Sequence, residues 1–149
     1  MVAHDAEGAV GLVLNRPSEI AIADALTAWE DASAAPACLY LGGPVQPEAA
    51  IGLGTGPSAE NDLVVGDLGA VDLDGAPDGH AQVRVFIGYA GWGPGQLDGE
   101  IARGDWLVID ALVDDVISRT PELLWRDVLR RQRSRLSLFA HAPDDATLN

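Results

Sequence analysis

Apolar and polar positions follow two different rhythms along this chain, and the switches between them mark its elements. Ala9-Val10-Gly11-Leu12-Val13-Leu14 is a short continuous apolar run, the pattern of a strand covered on both faces. It stops at Asn15-Arg16-Pro17, where Pro17 lacks an amide donor and holds Arg16 extended. Ser18 is placed to cap a helix, and Ile22, Leu26 and Trp29 recur at i, i+4 and i+7. That stripe predicts an amphipathic helix of about three turns, ended by Ala35-Pro36. Cys38-Leu39-Tyr40-Leu41 predicts a strand that delivers the chain into Gly42-Gly43-Pro44-Val45, a turn whose backbone can approach a neighbour closely.

Shorter apolar runs follow at Ala50–Leu53, Leu63–Val65 and Ala70–Leu73. Between them lie a polar, glycine-rich loop over 54–62 and a turn from Asp74 to His80. The longest signal runs from Val83 to Glu100. An apolar run leads into Gly91-Trp92-Gly93-Pro94-Gly95, and Gln96, Leu97, Glu100 and Ile101 then take helical spacing: a buried strand, a tight turn and a short helix. Gly104-Asp105 turns into Trp106–Ile109, read as another strand. Thr120-Pro121-Glu122 starts a helix, with Thr120 as cap and Pro121 at the first helical position. Leu124 with Val128 and Trp125 with Leu129 form its buried face, and Arg130 and Arg131 complement the dipole at its end. Leu136–Phe139 alternates like a strand, and a polar tail follows from Pro143. Two marked helices among several strands, without regular alternation, define one α+β domain with a mixed sheet.

Charge alters this picture more than length does. The chain has 149 residues and a formal net charge of −14. Its basic residues are all arginines, and none lies between Pro17 and Val83. Such a balance opposes nucleic-acid binding, whose affinity comes largely from neutralising phosphates. The cluster Arg126, Arg130, Arg131, Arg133 and Arg135 reads as the solvated face of a helix. Cys38 is the lone cysteine, so neither an intrachain disulfide nor a cysteine metal cluster can form, and its apolar surroundings mark it as a packing residue. No apolar stretch reaches the length of a membrane span, and the opening residues lack a basic leader, which together fit a bacterial cytoplasmic protein.

Three blocks carry a resemblance: Gly11-Leu-Val-Leu-Asn15-Arg16-Pro17, Gly42-Gly43-Pro44-Val45, and Gly88-Tyr-Ala-Gly-Trp-Gly-Pro-Gly-Gln-Leu97 with Glu100-Ile101. With Leu124-Trp125-Arg126-Asp127-Val128-Leu129 and the closing Leu148-Asn149, they resemble the YqgE/AlgH family along essentially the whole chain. The resemblance implies a compact bacterial α+β domain with a partly barrel-like sheet flanked by helices. Family members begin about thirty residues earlier, with a segment that adds a strand. Either this sequence is a short-start or trimmed version, or its sheet has an unpaired edge, a liability for aggregation or a surface for self-association. The family's biochemistry is unsettled. Some members are labelled transcriptional regulators by genetic association, yet these residues contain no helix-turn-helix signature.

Candidate chemistry is sparse. Gly91, Gly93 and Gly95 suggest a phosphate-cradling turn, but Gln96 stands where a third spaced glycine belongs, Pro94 removes a donor and no lysine follows. A structural corner packed by Trp92 explains the same residues. Arg16 is a candidate partner for a carboxylate such as Glu100 or for a ligand anion. His4, His80 and His141 are scattered, and no nucleophile elbow or catalytic set is present. The expectation is a non-enzymatic binding or regulatory module without a cofactor, acting on a protein or a small ligand. The alternative is a small-anion-binding protein or enzyme. Its cleft would lie between three turns: Asn15-Arg16, Gly42-Gly43, and Gly91-Trp92-Gly93 with Gly95, beside Tyr89, Gln96 and Glu100. A ligand cleft requires Arg16, Gln96 and Glu100 to converge on a pocket; a scaffold requires them to satisfy one another.

Overall fold

The computed structural model describes residues 1–55, 63–133 and 135–141. Its centre is β8 (Ala81–Trp92), which pairs with three strands at once. Along one side, β2 (Gly8–Gly11) lies antiparallel to its C-terminal end and β4 (Cys38–Leu41) parallel to its middle. Along the other side runs β5 (Val45–Thr55), antiparallel. The sheet continues outward from β2 to β1 (Ala3–Asp5), from β4 to β3 (Pro17–Ala21), and from β5 through β7 (Leu68–Val71) to β6 (Leu63–Val65). These eight strands form a mixed, nearly closed, barrel-like sheet in one α+β domain. The helices are α1 (Ile22–Ala25), α2 (Gln96–Arg103), α3 (Val113–Val116) and α4 (Leu124–Arg130).

The apolar run of β8 is continuous because both its faces are covered. Val83 and Val85 join Ile22, Trp29, Leu39 and Val71 in one core cluster. Phe86, on the opposite face, joins Tyr40, Leu53, Leu68 and Val116 in a second. Each such side chain, once buried, stabilises the fold by about 1.5–3 kcal/mol. Arg84 lies on the second face with only 2% of its surface exposed. Its guanidinium sits 4.3 Å above the Tyr40 ring and donates to the carbonyls of Val116 (3.1 Å), Ser118 (2.9 Å) and Ala35 (2.8 Å). Burial pushes the guanidinium below its ordinary value and the Tyr40 phenol above its own.

At the middle of β8, backbones touch without side chains between them. The Gly42 amide donates to Ile87 O at 2.8 Å, and Val13 N donates to Gly42 O at 2.9 Å. A Cβ on Gly43 would land on the Tyr89 carbonyl, and one on Gly42 on the Gly88 carbonyl. Glycine is therefore required where the β4–β5 turn crosses β8.

Several expected elements take another form. Residues after Ser18 form β3, not a helix: Ser18 Oγ accepts from Ile20 N (3.2 Å), and only α1 and a 3-10 turn over Thr27–Trp29 are helical. The stripe still reaches the core, since Ile22 and Trp29 are buried and Leu26 packs against them. Only the first part of Ala9–Leu14 is strand, paired in a hairpin with β1. Gly91 and Trp92 belong to β8, so the turn is confined to Gly93-Pro94-Gly95, with Gly95 in the left-handed region at φ 67°. Trp106–Ile109 has no strand pairing, and Arg135–His141 is a 3-10 helix where Leu136–Phe139 was expected to be a strand. Thr120 makes no side-chain cap. Trp125 is 52% exposed instead of buried, while Leu124 and Leu129 do face inward. The polar tail from Pro143 lies outside the described residues.

Candidate functional site

The glycine-rich corner hands the chain from β8 to α2, and a carboxylate organises what surrounds it. Glu100, one turn into α2, accepts from Trp92 Nε1 (2.9 Å) and Trp106 Nε1 (2.7 Å) on one oxygen. Gln96 Nε2 reaches the other at 3.0 Å, and Gln96 Oε1 accepts from Gly93 N at 3.1 Å. The two indoles meet edge to face with centroids 5.8 Å apart. Hydrogen bonds from Trp106 and Gln96, then Trp92, hold the Glu100 carboxyl below the usual glutamate range, with desolvation opposing them and Arg103 assisting.

Beside this cluster, between α2, the segment after it and the first residues of the chain, where Met1 and His4 also line it, opens a largely apolar groove of about 290 Å³. Trp92, Leu97, Ile101, Trp106, Leu107 and Val108 line it. Its outer wall stands in solvent: Trp106 is 48% exposed, Leu107 45% and Val108 71%. A second, wider groove of about 500 Å³ lies against the β1–β2 hairpin, and its lining includes Val45, Tyr89, Gly91 and Trp92 together with Asp5 and Glu7.

The residues singled out in the sequence thus fall into three groups. Gly42 and Gly43 lie against Gly88, Tyr89 and Ala90, and Arg16 O accepts from Leu41 N at 2.9 Å, so the Asn15-Arg16 and Gly42-Gly43 turns are neighbours. Tyr89, Gly91 and Trp92 share the wider groove. Gln96 and Glu100 bond to each other and to the two tryptophans. Arg16 does not pair with Glu100; its side chain is exposed and forms no ion pair among the described residues. Trp106 escaped notice because its apolar run resembles a strand. Arg131 is not simply part of a solvated face: it grips Asp115 through both guanidinium nitrogens, one contact at 2.6 Å, and donates to Asp110 O at 2.8 Å. Among the described residues, no group of three or more His, Cys, Asp or Glu is arranged to hold a metal ion.

The fold is a barrel-like α+β domain whose glycine-rich corner carries a tryptophan–carboxylate cluster. The chain belongs to the AlgH-like family (DUF179), which matches residues 1–137. A UPF0301 protein of Streptomyces avermitilis is 42% identical over 158 residues, covering 98% of this chain and 82% of that protein. The UPF0301 protein ML0028 of Mycobacterium leprae is 44% identical over 160 residues, covering 100% and 79%. Among solved structures, protein DIP2367 from Corynebacterium diphtheriae superposes with a TM-score of 0.85 at 30% identity, covering 94% of this chain and 79% of that one. The AlgH protein from Pseudomonas aeruginosa gives 0.67 at 28%, covering 97% and 83%. No helix among the described residues is long and apolar enough to cross a membrane.

Proposed function

We propose that this chain is a non-enzymatic binding module of the bacterial cytoplasm that engages a protein partner through the groove beside α2, regulating by contact and not by chemistry. The observation that carries this reading is the exposure of Trp106, Leu107 and Val108 over an apolar groove whose indoles are pinned by Glu100. Contiguous apolar surface of this kind marks interaction sites on soluble proteins, and tryptophan anchors dominate such contacts. A pre-fixed aromatic wall lowers the ordering cost of binding.

The small-anion alternative draws less support. Arg16 is not among the lining of the wider groove, which includes Asp5 and Glu7. Their negative charges oppose an anionic ligand.

Selection of random displayed peptides on the wild-type protein tests the reading. The expected result is a shared apolar motif that binds Leu107→Ser/Val108→Ser at least about tenfold more weakly, with circular dichroism confirming an unchanged fold. Absence of a motif, or equal binding by the variant, would sink it.

A further inference from the structure

The charge carried by the segments that line the groove specifies what would fill it. From Gln96 to Asp115 the chain carries six carboxylates, Asp98, Glu100, Asp105, Asp110, Asp114 and Asp115, against one arginine, Arg103, with His4 also in the lining of the groove. Glu100 is occupied by the two indoles and Gln96, and Asp115 by Arg131. Asp98 and Asp105 keep 65% and 50% of their side-chain surface in solvent, and Asp110 is exposed. Asp98 sits one residue beyond Leu97, Asp105 immediately before Trp106, and Asp110 immediately after Ile109, so all three flank residues that line the groove. Their present partners are slight: His4 Nε2 at 3.3 Å from Asp98, and Arg103 at 2.8 Å from Asp105 across an exposed pair.

From this arrangement we infer that the occupant is a basic amphipathic peptide segment. Its apolar side chains enter between α2 and Trp106–Val108, and its Lys or Arg residues pair with Asp98, Asp105 and Asp110. The inference rests on the reading of the groove as a docking surface and adds the partner's chemistry. An amphipathic helix laid into an apolar groove is a common recognition mode, and complementary charge at the rim sets its selectivity and on-rate. The net charge of −14 draws a cationic segment from a distance and repels anionic lipid surfaces and a second copy of the chain alike.

Three labelled peptides of about 16 residues test it, sharing one leucine stripe and differing only in Lys, Glu or Gln on the polar face. Fluorescence anisotropy is read at about 50 and about 300 mM NaCl. The Lys peptide should bind wild type and lose at least about tenfold in Leu107→Ser/Val108→Ser and in Asp98→Asn/Asp105→Asn/Asp110→Asn. Added salt should weaken it more where the three aspartates remain than in the triple variant. Equal binding of the Gln or Glu peptide overturns the charge assignment while leaving the groove as a docking surface. Lys-peptide binding untouched by Leu107→Ser/Val108→Ser reports long-range attraction alone and overturns the inference, as does no binding at low salt. Sedimentation of the protein alone completes the test: a dimer dissolved by Leu107→Ser/Val108→Ser would assign the groove to a second copy.

Discussion

Glu100 gathers three neutral donors on one side chain, and its protonation should release them. Because its carboxyl is held below the usual glutamate range in the folded protein, the stability it confers is fully present above the unfolded-state value. That stability is lost as pH falls through the lower folded value. The indole N–H resonances of Trp92 and Trp106 should therefore shift together on acidification below the ordinary glutamate range. In Glu100→Gln that shared step should vanish. A step that survives the substitution would assign the titration to another group. At this scale the sequence was partly informative. Gln96 and Glu100 stood out together, but Glu100's partner was sought in Arg16, when two indole donors were nearer. Arg84 stayed hidden because one arginine within an apolar run looks like a solvent-facing position. Its carbonyl partners, contributed by Ala35, Val116 and Ser118, and the Tyr40 ring beneath its guanidinium explain its burial.

Elements were legible where local pattern and long-range pairing agree, as in β4, β6 and α2. They were misread where pairing overrides pattern. The stripe from Ile22 to Trp29 has helical spacing, yet β3 gains ladder bonds from β4 and only short helical turns remain beyond it. Trp106–Ile109 looks like a strand but joins none of the described ones, although β1, β3 and β6 each leave an edge open. The glycines announced a close approach without naming its partner. Gly43→Ala tests that crossing: its Cβ would strike the Tyr89 backbone, which cannot yield as a side-chain tip can. We expect a loss of about 3 kcal/mol in denaturant unfolding, lowering Tm by roughly 6–12 °C. A change below about 0.5 kcal/mol would show that the turn stands off from β8.

Across the whole molecule, Arg84 joins the segment at Ala35, the central strand and the C-terminal side of α3. Replacing it by Met keeps much of the volume but leaves three carbonyls without their donor, at a cost of about 3 kcal/mol or more in urea unfolding. Arg84→Lys should recover only part, since an ammonium cannot spread donors as a guanidinium does. Full stability in Arg84→Met would show that the carbonyls find other donors. Net charge acts at the same scale. Self-repulsion at −14 exceeds what a few exposed ion pairs return, so raising NaCl from about 20 to about 500 mM should raise Tm by a few degrees. A Tm that falls with salt would mean the pairs prevail.

The threefold pairing of β8 also bears on how the chain acquires its shape during synthesis. Every strand that β8 joins, β2, β4 and β5, precedes it in the chain, and the β2 pairing spans about eighty residues. Loop closure over such distances is slow, and contacts of this kind dominate the folding barrier. On the ribosome, the earlier pairings β1–β2, β3–β4 and β5–β7–β6 therefore stay unjoined until residues 81–92 clear the exit tunnel. A nascent chain arrested before that point should be digested rapidly by protease, and one arrested well after it should resist.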